Sequence, residues 1–140
     1  MLLIDKHFRA YKNLVSKILV KNMELTRLKD NWYNISAVKY DDVKIQGTKQ
    51  RVDIADQLND IIELEQDIKA TINYKNELKR VHEKEIDKIG DSKKCTILKL
   101  YYLEGCSIKQ IAVCLENSES HIKKLKKNAI SEFIKLNISS

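Results

Sequence analysis

The sequence predicts an all-α fold, a long N-terminal helical hairpin or coiled-coil arm followed by a C-terminal tri-helical helix-turn-helix head. Three observations lead there. Turn formers are nearly absent: the 140 residues hold no proline and three glycines, Gly47, Gly90 and Gly105. Sandwiches, barrels and doubly wound sheets need many tight turns and are excluded on that ground. Apolar residues recur every three or four positions over long stretches, which is the period of one helix face. After Gly90 the pattern changes to three short units, each with its own start and stop signals.

The first segment runs from about Leu3 to Tyr33. Ile4, Phe8, Tyr11, Val15, Ile18, Leu25 and Trp32 form one stripe, with Asn22 and Lys29 filling its gaps. Asn34 to Gly47 departs from the pattern and reads as a loop. The second segment runs from about Lys49 to Ile89. Leu58, Ile61, Ile68, Ile72, Leu78, Val81, Ile86 and Ile89 share a side, and the step from Ile72 to Leu78 predicts a shift of the stripe. Neither helix buries itself alone, so the two are expected to pair antiparallel, with Asn22 either fixing register or meeting water. The arm is taken as residues 1–91 and the head as residues 92–140.

Gly90 predicts a helix stop, and Asp91 or Ser92 a cap for the next helix. Lys93 to Glu104 is the first unit of the head, with Ile97, Leu98, Tyr101 and Tyr102 inward. Ser107 opens the second, with Gln110 three residues on, a capping box; Ile108, Ile111, Ala112 and Leu115 face inward. Glu116 and Asn117 make a short turn. Ser118 caps a last helix to about Leu136, with Ile122, Leu125, Ala129 and Phe133 inside.

Charge is uneven. Residues 92–140 hold nine lysines against four glutamates, a balance of +5, which leaves +1 of the net +6 for residues 1–91. A basic excess on a small unit points to a polyanion, and on the third helix of a tri-helical unit it points to duplex DNA. Groove reading needs a free helix face, small polar residues at its start and cations beside them. The candidate DNA-binding set is Ser118, Glu119, Ser120, His121, Lys123, Lys124, Lys127 and Asn128. Glu119 and Ser120 lie in the first turn, where base edges are met. Glu119 either accepts from a cytosine amino group or favours the helix start electrostatically. Lys123, Lys124 and Lys127 suit phosphates. The competing reading of the lysines is a solvated outer face.

Two runs of the head carry a resemblance. They are Ile97-Leu98-Lys99-Leu100-Tyr101-Tyr102-Leu103-Glu104-Gly105-Cys106-Ser107-Ile108-Lys109-Gln110-Ile111-Ala112 and Ser118-Glu119-Ser120-His121-Ile122-Lys123-Lys124-Leu125-Lys126-Lys127-Asn128-Ala129-Ile130. Together they resemble the promoter-binding C-terminal module of bacterial sigma factors. The whole chain resembles the small sigma-like regulators of Gram-positive phages and prophages, of the RinA/ArpU type. Glu24-Leu25-Thr26-Arg27-Leu28 matches their E-L-x-x-L stretch, and Ile45-Gln46-Gly47-Thr48 stands at their short polar loop. The chain departs from the pattern at Tyr101, where arginine is common, and at Lys124-Leu125-Lys126, where Arg-Leu-His is common. Lysine keeps the charge but lacks the bidentate fork of arginine. The resemblance implies transcriptional control of phage genes, with activation of late or packaging genes.

Other chemistry is weaker. Cys106, Cys114 and His121 are spaced eight and seven apart, which matches no zinc finger. Cys95 and Cys114 are expected as packed thiols in a reducing cytoplasm. His7 and His82 read as partly exposed helix residues. Asp53, Asp56, Asp60, Glu63, Glu65 and Asp67 read as a solvated acidic face, or as one that repels DNA or meets a basic patch on RNA polymerase. No metal, cofactor or catalytic site is expected, and no membrane segment or signal peptide. The expected partners are double-stranded DNA and a second copy, a dimer through the N-terminal helices, with RNA polymerase as a further one. Two rivals remain: a small terminase-like phage packaging subunit, and a protein-interaction module docking on polymerase.

Overall fold

The computed structural model describes residues 2–42 and 48–138, with side chains described for 2–34 and 54–138. The fold is all-α, and the described residues contain no strand. The helices are α1 (Leu3–His7), α2 (Arg9–Asp42), α3 (Thr48–Asp87), α4 (Ser92–Leu98), α5 (Ile108–Leu115) and α6 (Glu119–Asn137), with a π-helical turn over Lys99–Leu103.

Two compact units are present. One joins Met1–Leu14 to Lys75–Ser140, and the other is Val15–Tyr74. The sequence boundary at residue 91 therefore marks a chain turn, while the compact unit of the head reaches back to include the chain start. The reason is apolar: Ile4, Phe8 and Tyr11 are buried with Ile86, Cys95, Leu98, Tyr102, Leu103, Ala129 and Phe133 in one cluster. Phe8 stacks on Tyr102 with ring centroids 4.9 Å apart. A second cluster holds Ile97, Ile111, Ala112 and Ile122, flanked by Tyr101, Ile108, Leu115 and Leu125.

In the Val15–Tyr74 unit, Lys21 pairs with Asp67, Lys29 with Glu65 at 3.4 Å, and the Trp32 indole N–H donates to the Ile54 carbonyl at 3.2 Å. Rising numbers on one helix meet falling numbers on the other, so the two run antiparallel. The long helices keep a strict seven-residue repeat. Ile4, Tyr11, Ile18, Leu25 and Trp32 are at least half-buried, as are His7, Leu14, Lys21 and Leu28. On α3 and its exit, Ile54, Ile61, Ile68, Lys75, His82 and Ile89 form one row, and Gln57, Leu64, Thr71, Leu78 and Glu85 the other. These are the a and d positions of a heptad.

This corrects three expectations and decides a fourth. The stripe does not shift between Ile72 and Leu78, because Lys75 fills the step. Val15, Leu58 and Val81 are exposed, and His82 is buried in place of Val81. Of the two readings of Asn22, the one that meets water holds: it is exposed, and Lys21 lies on the inner row. α2 continues through Asn34 to Asp42, since no proline or glycine interrupts it; residues 43–47 of the expected loop lie outside the described residues, including most of Ile45-Gln46-Gly47-Thr48.

In the head, Gly90 and Gly105 take φ of +80° and +71°, the left-handed conformation that glycine adopts without strain. Asp91 caps α4 by accepting from the Lys94 N–H at 3.0 Å. The first unit differs from expectation in widening into the π turn, where the Glu104 N–H reaches the Lys99 carbonyl at 3.0 Å. The wider turn lets Leu98, Tyr102 and Leu103 all face the core.

Candidate nucleic-acid interface

α5 and α6 are set by local chemistry. Ser107 Oγ accepts from the Gln110 N–H at 3.2 Å, and Gln110 Oε1 accepts from the Ser107 N–H at 2.8 Å, so the capping box is formed. α5 ends at Glu116, which takes the left-handed conformation at φ 55°. The Asn117 N–H then bonds the Ala112 carbonyl at 3.0 Å, and its side-chain amide donates to the Leu115 carbonyl at 2.8 Å. Ser118 starts α6 by accepting from the His121 N–H at 3.2 Å. The turn is thus three residues long and closed by its own hydrogen bonds.

Ile122, Ala129 and Phe133 of α6 are buried, and Leu125 is half-buried beneath α5. That inner face leaves the expected set outward. Ser118, Glu119, Ser120, His121, Lys123, Lys124, Lys127 and Asn128 are all exposed. Ser118 and Ser120 hydroxyls lie 3.4 Å apart at the helix start.

Of the nine lysines of the head, three are held by other side chains, and Lys93, Lys109 and Lys135 are exposed without an ion pair among the described residues, as are the three on the outer face of α6. Lys94 bonds Glu132 at 2.6 Å, Lys99 bonds Asp87 at 2.7 Å, and Lys126 lies 3.6 Å from the centre of the Tyr101 ring. These three serve packing. Lys123, Lys124 and Lys127 have no carboxylate within ion-pair distance among the described residues, so their charge is not neutralised by the chain itself. Lys123 and Lys127 also rim an open groove with an apolar floor of Leu2, Ile108 and Ile130. A cationic helix face that starts with small hydroxyls has the composition that groove edges and phosphates accept.

The cysteines separate by position. Cys95 is buried, its thiol donating to the Ile86 carbonyl at 3.3 Å, and burial pushes its ionisation up. Cys106 is half-buried. Cys114 is exposed on the outer side of α5, contrary to the expectation that it packs.

A second polar cluster has no signature in the sequence. His7 Nε2 lies 2.8 Å from Glu85 Oε2, and His82 Nδ1 lies 2.7 Å from Glu85 Oε1. His82 is 4% exposed rather than partly exposed, because it occupies an inner heptad position beside Phe8. Burial raises the Glu85 carboxyl, but hydrogen bonds from His7 and His82 outweigh it and hold the group below the ordinary carboxylate range.

The described residues therefore define an all-α protein with a capped, outwardly cationic final helix. Among them no helix is long and apolar enough to cross a membrane. The chain belongs to the family described as "Protein of unknown function (DUF1492)", whose model matches residues 34–134. No curated protein and no solved structure matches the chain.

Proposed function

We propose that the chain is a sequence-specific double-stranded DNA-binding regulator of transcription, acting in the cytoplasm on phage or prophage genes. One observation carries the reading: Lys123, Lys124 and Lys127 cluster exposed on the outer face of α6, with no carboxylate within ion-pair distance among the described residues. Unneutralised cations on one helix face gain free energy by releasing counterions from phosphates. The capped start of α6 supplies Glu119 and Ser120 to the base edges, and the resemblance to sigma-like modules supplies the assignment to promoters. The role is one of binding, not catalysis.

The experiment is selection of bound fragments from random duplex DNA, followed by titration on the enriched sequence. Lys124→Ala with Lys127→Ala is expected to weaken binding and to lower the salt slope by about 0.9 for each phosphate no longer neutralised. An unchanged affinity and slope would remove α6 as the reading helix.

The long helices give the second copy a place to bind. Leu19, Val20 and Met23 are 62%, 63% and 65% exposed on α2, with Val15 one turn before Leu19. Water-facing apolar groups at i, i+4 and i+8 favour a partner helix. A dimer would place two heads on a repeated site at high effective concentration. Sedimentation at micromolar concentration is expected to give twice the chain mass; a monomer rejects the dimer, and a ring of many copies favours a packaging role.

A further inference from the structure

We propose that His7, His82 and Glu85 form a binding site for one zinc-class divalent metal ion, which ties the chain's first helix to the end of α3. The site is independent of the DNA reading.

The donors are of the right kind and number. Two imidazoles and one carboxylate are a common three-ligand set for zinc, with a fourth position for water. Their ligand atoms all lie within 4.8 Å of one another, and Glu85 already meets one nitrogen of each histidine. Nitrogen donors favour zinc, cobalt or nickel over magnesium and calcium, which take oxygen.

The scaffold suits them. His82 and Glu85 are three residues apart on one helix, the i, i+3 spacing by which helical bundles direct two side chains at one ion. His7 comes from the opposing segment, so the set closes only when both helices are packed. The aromatic rings of Phe8 and Phe133 lie 5.4 Å from that of His7, which fixes its plane. The His7 and Glu85 side chains keep 26% and 19% exposure, which leaves a path for the ion and a water.

Apolar packing does not account for the cluster. Three ionisable groups occupy inner positions of a hydrophobic interface, where burial of polar atoms is costly. Hydrogen bonds to Glu85 satisfy only part of the demand, since His82 Nε2 is buried without a partner.

The test uses the full chain after chelator treatment. Cobalt chloride is added and visible absorption followed, and zinc chloride is titrated by calorimetry. One equivalent per chain is expected, with the d–d bands of low-coordinate cobalt and a raised melting temperature. His7→Gln and Glu85→Gln, both at partly buried positions, are each expected to raise the dissociation constant by more than about tenfold. Their far-ultraviolet dichroism in chelator is expected to show the native helix content. His121→Ala and the Cys106→Ser/Cys114→Ser double variant are expected to titrate as the parent does. Absence of a stoichiometric event, or loss of binding in those controls with retention in His7→Gln and Glu85→Gln, would overturn the proposal. DNA binding is not part of the readout, so either idea can fail without the other.

Discussion

Glu85 shows how one partly buried carboxylate organises its surroundings. Its folded-state ionisation lies below the ordinary value of 4.5, so it contributes stability that is fully present above that pH and is lost as the pH falls through the folded value. Glu85→Gln, measured in chelator, is expected to lower stability at neutral pH by roughly 1–3 kcal/mol, the cost of losing charge-assisted bonds to two histidines. The difference from the parent is expected to shrink below pH 4.5. Thermal melts across pH check both statements; a difference that does not change with pH would mean that Glu85 acts only through packing. Tyr102 shows the opposite direction at the same core: burial, with Asp5 beside it, pushes its hydroxyl far above the ordinary range. Lys126 covers the Tyr101 ring, a cation–π contact between α6 and the π turn.

At the scale of the element, α6 depends on Ser118. Ser118→Ala removes the acceptor for the His121 N–H and is expected to cost about 1 kcal/mol of stability. Chemical denaturation is the check, and no change would place the start of α6 under tertiary control alone. Such short-range features are legible in the sequence. Ser107 with Gln110, Gly90 with Asp91, and the inner faces of α5 and α6 each depend on residues a few positions apart. The outward set from Ser118 to Asn128 is legible for the same reason, since an inner face defines an outer one. Polarity on the inner rows of the long helices hides the rest. Lys21, Lys75 and His82 occupy heptad positions that an apolar count skips, so such a count puts a step at Ile72 and chooses Val81. The His7–Glu85 pairing is illegible because it joins positions 78 residues apart. The π turn is illegible too, as Lys99–Leu103 is an ordinary helical run until Leu98, Tyr102 and Leu103 must share one core.

At the scale of the molecule, the compact head is discontinuous in sequence. Residues 92–140 alone lack Ile4, Phe8, Tyr11 and Ile86, four members of its main cluster. A fragment of residues 92–140 is expected to melt without cooperativity, because loss of a single buried phenylalanine already costs ~3–5 kcal/mol against a total stability of ~5–15 kcal/mol. Calorimetry of the fragment against the full chain decides this; a sharp transition in the fragment would show that the smaller Ile97–Ile122 cluster suffices.

The burial of Phe8 against Phe133 also orders events on the ribosome. At ~5–20 residues per second, Phe8 waits on the order of 10 s for Phe133 to be made. A message cut short before α6 yields a polypeptide whose opening segment keeps Ile86, Leu98 and Tyr102 to pack on but lacks Ala129 and Phe133, so one side of its main cluster stays open to water.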